Sequence, residues 1–277
     1  MEGRMLMRIG IIHYLNEDII EGFKRLKELG FESCQLVCWD EKYMQEKYAD
    51  LVNKAKEQSK IDITAFWCGW PKPVVWDFYE GPITLGLVPA AYRSRRTEIL
   101  LKASDFAKKI QVKDIVTHVG FLPEDPNSVD YRGVVSALKV IADYYEKNQQ
   151  NFLFETGQET PTTLLRCMQD IGRKNLGVNL DPANLLLYGK ANPIDALDIL
   201  GEYIKGVHGK DGEYPTDGAK LGQEKPLGEG RVDFPKLIHK LKTLNYTGDI
   251  TIENEINDNM QLENILKGKK YLELLVK

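Results

Sequence analysis

Short apolar runs alternate with helix-length amphipathic segments along most of the chain. The runs are short and nearly continuous, as is typical of parallel strands that are buried on both faces. Strands are predicted at residues 8–12, 32–37, 61–66, 114–117, 152–154, 176–180, 204–207 and 249–252. Helices are predicted between and after them, at residues 16–29, 41–59, 93–109, 129–148, 160–171, 193–200, 233–244 and 259–276. Eight strand–helix units predict an α/β protein with a closed (β/α)8 TIM barrel, formed by residues 1–277 as a single domain.

Ligand-type and aromatic residues follow the predicted strands at the point where each strand ends. These strand ends carry His13, Trp39, Trp67, His118, Glu155, Asp181, His208 and Glu253. Barrel enzymes place their chemistry at the carboxyl ends of the strands. A single Glu, Asp or His in such a place is usually a solvated or capping residue, but here four successive ends supply Glu, Asp, His and Glu. We therefore predict one metal site formed by Glu155, Asp181, His208 and Glu253.

Three oxygen donors and one nitrogen suit one divalent ion, with Mn²⁺ expected and Mg²⁺, Co²⁺ or Zn²⁺ as alternatives. Such an ion can hold a ketone oxygen beside a neighbouring hydroxyl and stabilise an enediolate. Glu155 and Glu253 are then the candidate catalytic pair: one removes the proton next to the carbonyl, and the other returns a proton on the opposite face. Asn179 shares strand parity with Asp181, and Lys210 shares it with His208, so these side chains are expected to face the same site.

Composition narrows the class of protein without naming a reaction. The chain has 277 residues, with 43% hydrophobic and 28% charged residues, which is ordinary for a globular enzyme. A net charge of −4 and no Lys/Arg cluster give no sign of a nucleic-acid partner. The four cysteines lack paired spacing, so we expect reduced thiols and a cytoplasmic protein. The apolar part of residues 1–12 is too short for a signal peptide, and no stretch is long enough for a membrane helix.

Five motifs surround the predicted site. They are ETGQ at 155–158, NLDPAN at 179–184, VHGKD at 207–211, PLGEGRVDFPKL at 226–237 and YTGDITIE at 246–253. They resemble motifs of the xylose isomerase-like TIM-barrel superfamily, which contains sugar isomerases, ketose 3-epimerases and inosose dehydratases. The resemblance implies the same four metal ligands and, as in the ketose 3-epimerases, the same pair of glutamates as acid and base. Asn184 departs from it, because the ketose 3-epimerases are expected to have a substrate-binding histidine there.

The expected function is a divalent-metal-dependent isomerase or epimerase of a keto-sugar or sugar phosphate. The expected substrate-binding residues are His13, Trp39, Trp67, His118, Asn184 and Lys210. The alternative on the same scaffold is a lyase, which would dehydrate an inosose or eliminate from a keto-glycoside. A third interpretation is a sugar-binding barrel without catalysis. An AP endonuclease of the same superfamily is disfavoured, because residues 209–232 contain no histidine for additional zinc ions.

Two features leave the substrate open. Lys210, Lys220 and Lys225 are candidates for contact with a phosphate, although loop lysines are usually solvated. Residues 67–92 form a long segment of aromatic residues and prolines, and loops of this length often act as lids or binding loops. Its rings would suit the apolar face of a sugar, whereas the alternative is a stiff surface loop with its own small core. The outer helices also leave room for a homo-oligomer.

Overall fold

Eight parallel strands close a barrel within residues 7–256 and 259–277, the part of the chain that the computed structural model describes. The strands are β1 (Ile9–Tyr14), β2 (Ser33–Cys38), β3 (Asp62–Cys68), β4 (Asp114–Thr117), β5 (Asn151–Glu155), β6 (Leu176–Leu180), β7 (Ile204–Gly209) and β8 (Ile250–Ile252). Each strand pairs with its neighbours in chain order, and β8 returns to β1 with Ile250 opposite Ile9. The predicted (β/α)8 barrel is confirmed.

Helices follow the strands and cover the outside of the barrel. They are α1 (Ile19–Glu28), α2 (Glu46–Ser59), α3 (Ala90–Lys109), α4 (Val129–Lys147), α5 (Pro161–Ile171), α6 (Pro193–Leu200), α7 (Phe234–Thr243) and α8 (Gln261–Val276). Several begin as the sequence predicts. Thr160 accepts a hydrogen bond from the backbone N–H of Thr163, Pro161 occupies the first turn of α5, and Gly172 ends that helix with a φ of 65°.

Short elements between these units differ from the prediction. The helix expected at 41–59 is divided into a 3₁₀ turn at Glu41–Tyr43 and α2, because Gln45 is extended and breaks the helical path. A one-and-a-half-turn helix at Pro182–Leu187 follows β6 directly. A small antiparallel pair, Asp211–Gly212 with Glu224–Lys225, follows β7. Neither of the last two was predicted.

The apolar core has two parts. The larger part lies between the strands and the surrounding helices, and a smaller one fills the barrel with Val37, Ala65, Trp67, Val116 and Leu153. All four cysteines are buried and free, as expected for reduced thiols. In the described part of the chain, none of the helices has the length and apolar character needed to cross a membrane. The sequence prediction for residues 1–12 falls partly outside the described residues, because residues 1–6 are not among them.

The aromatic segment after β3 is fixed to the barrel through one buried arginine. Arg96 of α3 donates to the backbone oxygens of Gly86 (2.6 Å) and Pro73 (2.9 Å). Its guanidinium lies 5.2 Å from the ring of Trp70 and 4.8 Å from that of Tyr92. Cations over aromatic faces are attracted by the ring quadrupole. The segment therefore has a small core of its own, while another of its rings, Trp76, reaches the mouth of the barrel.

Candidate metal centre and substrate cavity

Four potential metal ligands converge at the carboxyl ends of β5 to β8. The Nδ1 atom of His208 lies 3.1 Å from Oε1 of Glu155, 3.3 Å from Oδ2 of Asp181 and 3.0 Å from Oε2 of Glu253. The ligand atoms of all four residues lie within 4.8 Å of one another. The structure thus brings together the four residues that the sequence pattern predicts as one site.

The chemistry of this donor set fits one divalent cation. Three carboxylates lie around one imidazole, and Glu155, Asp181 and His208 are almost completely buried. Carboxylates this close repel one another, and burial strengthens the repulsion. Oε2 of Glu253 is buried, and its contacts with His208 (3.0 Å) and Lys210 (3.3 Å) are ion pairs without the geometry of a hydrogen bond. A cation of two positive charges would remove most of this repulsion, and oxygen donors with one imidazole suit such an ion.

Contacts below the centre orient the imidazole. The second ring nitrogen of His208, Nε2, lies 2.9 Å from Oε1 of Gln35 and 2.9 Å from Nδ2 of Asn179. Gln35 in turn donates to Oδ1 of Asn179 at 2.8 Å. If Nδ1 holds a metal, Nε2 carries the proton and donates to the Gln35 oxygen, which is a common way to fix a ligating histidine. Asn179 faces the site, as its strand parity predicts.

The cluster shifts the pKa values of its own members. Burial lowers the pKa of His208, but the charges of Glu155 and Glu253 outweigh burial and raise it well above its ordinary value. Burial raises the pKa of Glu155, and the neighbouring His118 and His208 reverse the effect, so that the pKa falls below its ordinary value. These carboxylates therefore stay ionised at neutral pH, which is the form that binds a cation.

Lys210 supplies a second positive charge beside the centre. Its ammonium lies 2.6 Å from Oε2 of Glu255, 3.3 Å from Oε2 of Glu253 and 4.0 Å from Oδ2 of Asp181. Burial raises the pKa of Glu253, and Lys210 with His208 brings it below its ordinary value. Burial likewise lowers the pKa of Lys210, but these carboxylates raise it well above its ordinary value. Lys210 is therefore a buried, charged and fully paired side chain.

A cavity of about 330 Å³ opens above the centre, near the lower end of the range for ligand pockets, about 300–1,000 Å³. One side is aromatic, because Trp39 packs 4.9 Å from Trp67 and 6.5 Å from Trp76 between ring centroids. His118 joins this wall at 5.1 Å from the ring of Trp76. The remaining lining includes Tyr14, Gln158, Asn184, Tyr188, Lys210, Glu253 and Glu255.

The aromatic wall also contacts the centre directly. The indole N–H of Trp67 donates to Oε2 of Glu155. Nε2 of His118 lies 3.6 Å from the other oxygen, Oε1, of the same carboxylate. Both oxygens of Glu155 therefore have neighbours from the wall, which fixes the direction in which this carboxylate faces.

Five of the six predicted substrate-binding residues line this cavity: Trp39, Trp67, His118, Asn184 and Lys210. His13 is a correction. It lies within β1, which continues to Tyr14, and alternation along the strand directs Ile12 and Tyr14 to the cavity. His13 instead packs against α1, with its ring 5.6 Å from Phe23. Burial lowers the pKa of His13 to about 4.

Several lining residues were not predicted. Tyr14 could have been found from the parity of β1 had the strand been extended by two residues. Trp76 is one ring among many in the aromatic segment, and no pattern in the sequence favours it over the others. Gln158 is buried, and neither its side-chain oxygen nor its nitrogen has a hydrogen-bond partner among the described residues, although the Tyr188 hydroxyl lies nearby. Its position three residues after Glu155, in the ETGQ motif, was the available signal.

The PLGEG turn is held beside the cavity by one buried carboxylate. Asp211 accepts hydrogen bonds from the backbone N–H groups of Gly212 (2.8 Å) and of Gly228, Gly230 and Val232 (3.0 Å each). A Cβ at Gly230 would lie 2.2 Å from Oδ1 of Asp211, so the close approach requires glycine. The motif thus fixes a loop next to β7, and the backbone N–H groups of Gly228 and Gly230 are used by Asp211.

The barrel and its Glu–Asp–His–Glu centre define a TIM-barrel protein with a candidate metal site at the strand ends. Residues 23–273 match the family described as xylose isomerase-like TIM barrel, and the chain belongs to this family. The resemblance inferred from the motifs is therefore confirmed.

Three of the proteins that are similar to this chain show the range of the resemblance. An uncharacterized protein of Methanocaldococcus jannaschii is 25% identical over 97% of this chain and 90% of its own length. The xylose isomerase domain protein from Planctomyces limnophilus is 29% identical, with a TM-score of 0.91 over 98% of this chain and 97% of that one. A D-tagatose 3-epimerase-like protein is 22% identical, with a TM-score of 0.73 over 97% and 98% of the two chains. At this last identity, the similarity establishes the fold alone.

Proposed function

We propose that this protein is a divalent-metal-dependent isomerase or epimerase of a keto-sugar. The observation that carries the proposal is the position of two glutamates, Glu155 and Glu253, in one four-donor centre beneath an aromatic-walled cavity. Two carboxylates near one substrate carbon can serve as base and acid in turn. The family supports the proposal, since its description refers to a sugar isomerase.

Glu155, Asp181, His208 and Glu253 would hold the ion. When bound, the ion would supply Lewis-acid polarisation of the substrate carbonyl. The chain itself provides the proton transfers. One glutamate takes the proton from the carbon next to the ketone, and the other returns a proton to the opposite face for epimerisation, or to the neighbouring carbon for isomerisation.

The surroundings of the two glutamates differ, which suits different roles. Glu155 is held by the Trp67 indole and His118, whereas Glu253 faces the Lys210 ammonium. Trp67 fixes the Glu155 carboxylate toward the substrate carbon. Lys210 stabilises Glu253 in its ionised form.

The cavity fits a sugar in size and in the chemistry of its walls. Rings on one side can pack on the C–H face of a sugar, while Tyr14, Asn184 and Gln158 can bind hydroxyl groups. The cavity lies at the carboxyl ends of the strands, where TIM-barrel enzymes have their active sites. We therefore propose that the barrel binds a small sugar and does not act on nucleic acid.

The test is solvent deuterium exchange into keto-sugars, carried out on protein loaded with Mn²⁺. We expect about one metal ion per chain, and deuterium in recovered substrate and in its epimer or isomer. Asp181→Asn and His208→Ala should lose the metal, whereas His239→Ala, at an exposed position on α7, should retain it. Glu155→Gln and Glu253→Gln should each lower the exchange rate by about 100-fold or more.

Three results would contradict the proposal in different ways. Metal content that does not change in Asp181→Asn would exclude the centre as the metal site. Loss of water or of an aglycone from the substrate, without an epimer, would indicate the lyase. Sugar binding that persists in Glu155→Gln, in a protein that never exchanges protons, would indicate a binding barrel.

A further inference from the structure

The charges that surround the cavity bear on the substrate class, which the proposed function leaves open between a sugar and a sugar phosphate. Among the described residues that line the cavity, Lys210 is the one lysine or arginine. Phosphate recognition in proteins usually relies on free arginine or lysine groups, or on backbone N–H groups at a helix N-terminus. Whether Lys210 can serve a phosphate therefore decides between the two substrate classes.

Lys210 is already engaged by carboxylates of the chain. Its ammonium contacts Glu255 at 2.6 Å and Glu253 at 3.3 Å, and it is 3% exposed. Burying an ammonium is unfavourable unless it is paired, so Lys210 needs these contacts to remain buried and charged. A phosphate could use this charge only by competing with Glu255, whose carboxylate lines the cavity beside Lys210.

The net charge near the cavity is negative even with a metal bound. The three ligand carboxylates and Glu255 carry four negative charges, whereas Lys210 and a divalent ion carry three positive charges. At a separation of a few ångströms near a protein surface, each unpaired like charge weakens the binding of an anion by about tenfold or more. An anionic substituent on the substrate would therefore lower affinity.

The other lysines that the sequence suggests for a phosphate do not change this balance. Lys225 pairs with Glu213 at 3.5 Å, and Lys220 is exposed. Neither lines the cavity. The PLGEG turn offers no substitute, because the backbone N–H groups of Gly228 and Gly230 donate to Asp211.

We infer that the substrate is an uncharged keto-sugar, neither phosphorylated nor carboxylated. The inference rests on the proposed function for the nature of the ligand, but its basis is the charge distribution and not the catalytic step. Glu255 is the residue that enforces it. Its carboxylate keeps Lys210 paired and adds a negative charge at the cavity wall.

The test is calorimetric binding to protein that holds stoichiometric Mn²⁺ and is dialysed free of excess metal. The probes are D-fructose and D-tagatose, each compared with its 1-phosphate and 6-phosphate. We expect each neutral sugar to bind at least about tenfold more tightly than its phosphate esters. Glu255→Gln should raise the ratio of phosphate-ester affinity to neutral-sugar affinity by about tenfold. Glu213→Gln, which frees Lys225 outside the cavity, should leave that ratio unchanged.

The inference is overturned if a phosphate ester binds as tightly as its parent sugar, if no neutral sugar of the panel binds, or if Glu255→Gln leaves the ratio unchanged. Deuterium exchange, measured on the same sugars, tests the proposed isomerase activity separately from the binding preference. Preferential binding of neutral sugars without exchange would leave the charge inference standing and contradict the isomerase. Exchange with phosphate esters alone would retain the isomerase and contradict the charge inference.

Discussion

Replacing Arg96 with methionine tests whether the aromatic segment depends on one buried cation. Arg96 is 2% exposed, and its guanidinium has no carboxylate partner among the described residues; its hydrogen bonds go to backbone oxygens of the segment. Burial lowers the pKa of Arg96 to about 10, so the group is charged at neutral pH. Methionine retains much of the side-chain length and removes both the charge and the donors.

The expected loss follows from these contacts. Two hydrogen bonds from a charged donor, to Gly86 at 2.6 Å and Pro73 at 2.9 Å, contribute roughly 1.5–3 kcal/mol each. The contacts with the Trp70 and Tyr92 rings add about 1 kcal/mol. Relief from burying a charge offsets part of this sum. We therefore expect the free energy of unfolding to fall by about 3–4 kcal/mol in Arg96→Met.

The assay is urea unfolding followed by tryptophan fluorescence, together with the substrate KM of the folded variant. Because Trp76 lies on the same segment and lines the cavity, KM should rise more than kcat falls. Arg95→Met is the matched control: Arg95 pairs with Glu41 and Glu98 at the surface and should change stability by about 1 kcal/mol or less. A loss in Arg96→Met no larger than in this control, with KM unchanged, would refute the role of Arg96.

Three further predictions concern other buried groups. His13 has a pKa of about 4 in the folded protein against 6.5 unfolded, so the unfolded state binds more protons between these values, and the free energy of unfolding decreases by up to about 3 kcal/mol as the pH falls from 6.5 to 4; urea unfolding of His13→Leu should lack this component, and an equal slope in both proteins would contradict it. Asp211→Asn should lower the free energy of unfolding by about 2–4 kcal/mol, because an amide cannot accept from all four N–H groups; a loss below 1 kcal/mol in urea unfolding would exclude this role. Trp67→Phe should lower the proton-exchange rate by about 10–100-fold while the metal stays bound, because Glu155 loses its indole donor; an unchanged rate would show that the contact is not used.

The barrel could be predicted from the sequence because its strands are buried on both faces. A run such as Leu176–Leu180 has few polar interruptions, and the structure places β6 at those residues. The convergence of the four donors then follows from topology alone. Parallel strands in chain order bring successive strand ends side by side, so the residue type at each strand end is enough to predict the four-donor site.

What could not be predicted depends on single-residue boundaries and on distant contacts. Side chains alternate between the two faces of a strand, and β1 ends two residues later than predicted. Ile12 and Tyr14 therefore face the cavity, and the side chain of His13 faces away from it. Trp76 lies on a segment that is held at Pro73 by Arg96 of α3, a contact between residues 23 positions apart that has no local signal. The pairing of Lys210 with Glu255 joins residues 45 positions apart and has no local signal.

Asp181, which precedes the short helix at Pro182–Leu187, has a structural role and a candidate chemical role at once. Oδ1 of Asp181 accepts from the backbone N–H of Asn184 as the helix cap, while Oδ2 faces Nδ1 of His208 at 3.3 Å. The hydroxyl of Thr156 also fixes the backbone of Asp181 on both sides, at 2.8 and 2.9 Å. In the sequence, an Asp before Pro182 is as typical of a cap as of a ligand, and the two interpretations compete. In the structure both interpretations hold together, because the cap holds one oxygen of Asp181 and so directs the other toward the candidate metal centre. The helix also places Asn184 at the cavity wall. Asn184 is the residue at which the motif departs from the ketose 3-epimerases, and its position depends on the cap that Asp181 provides.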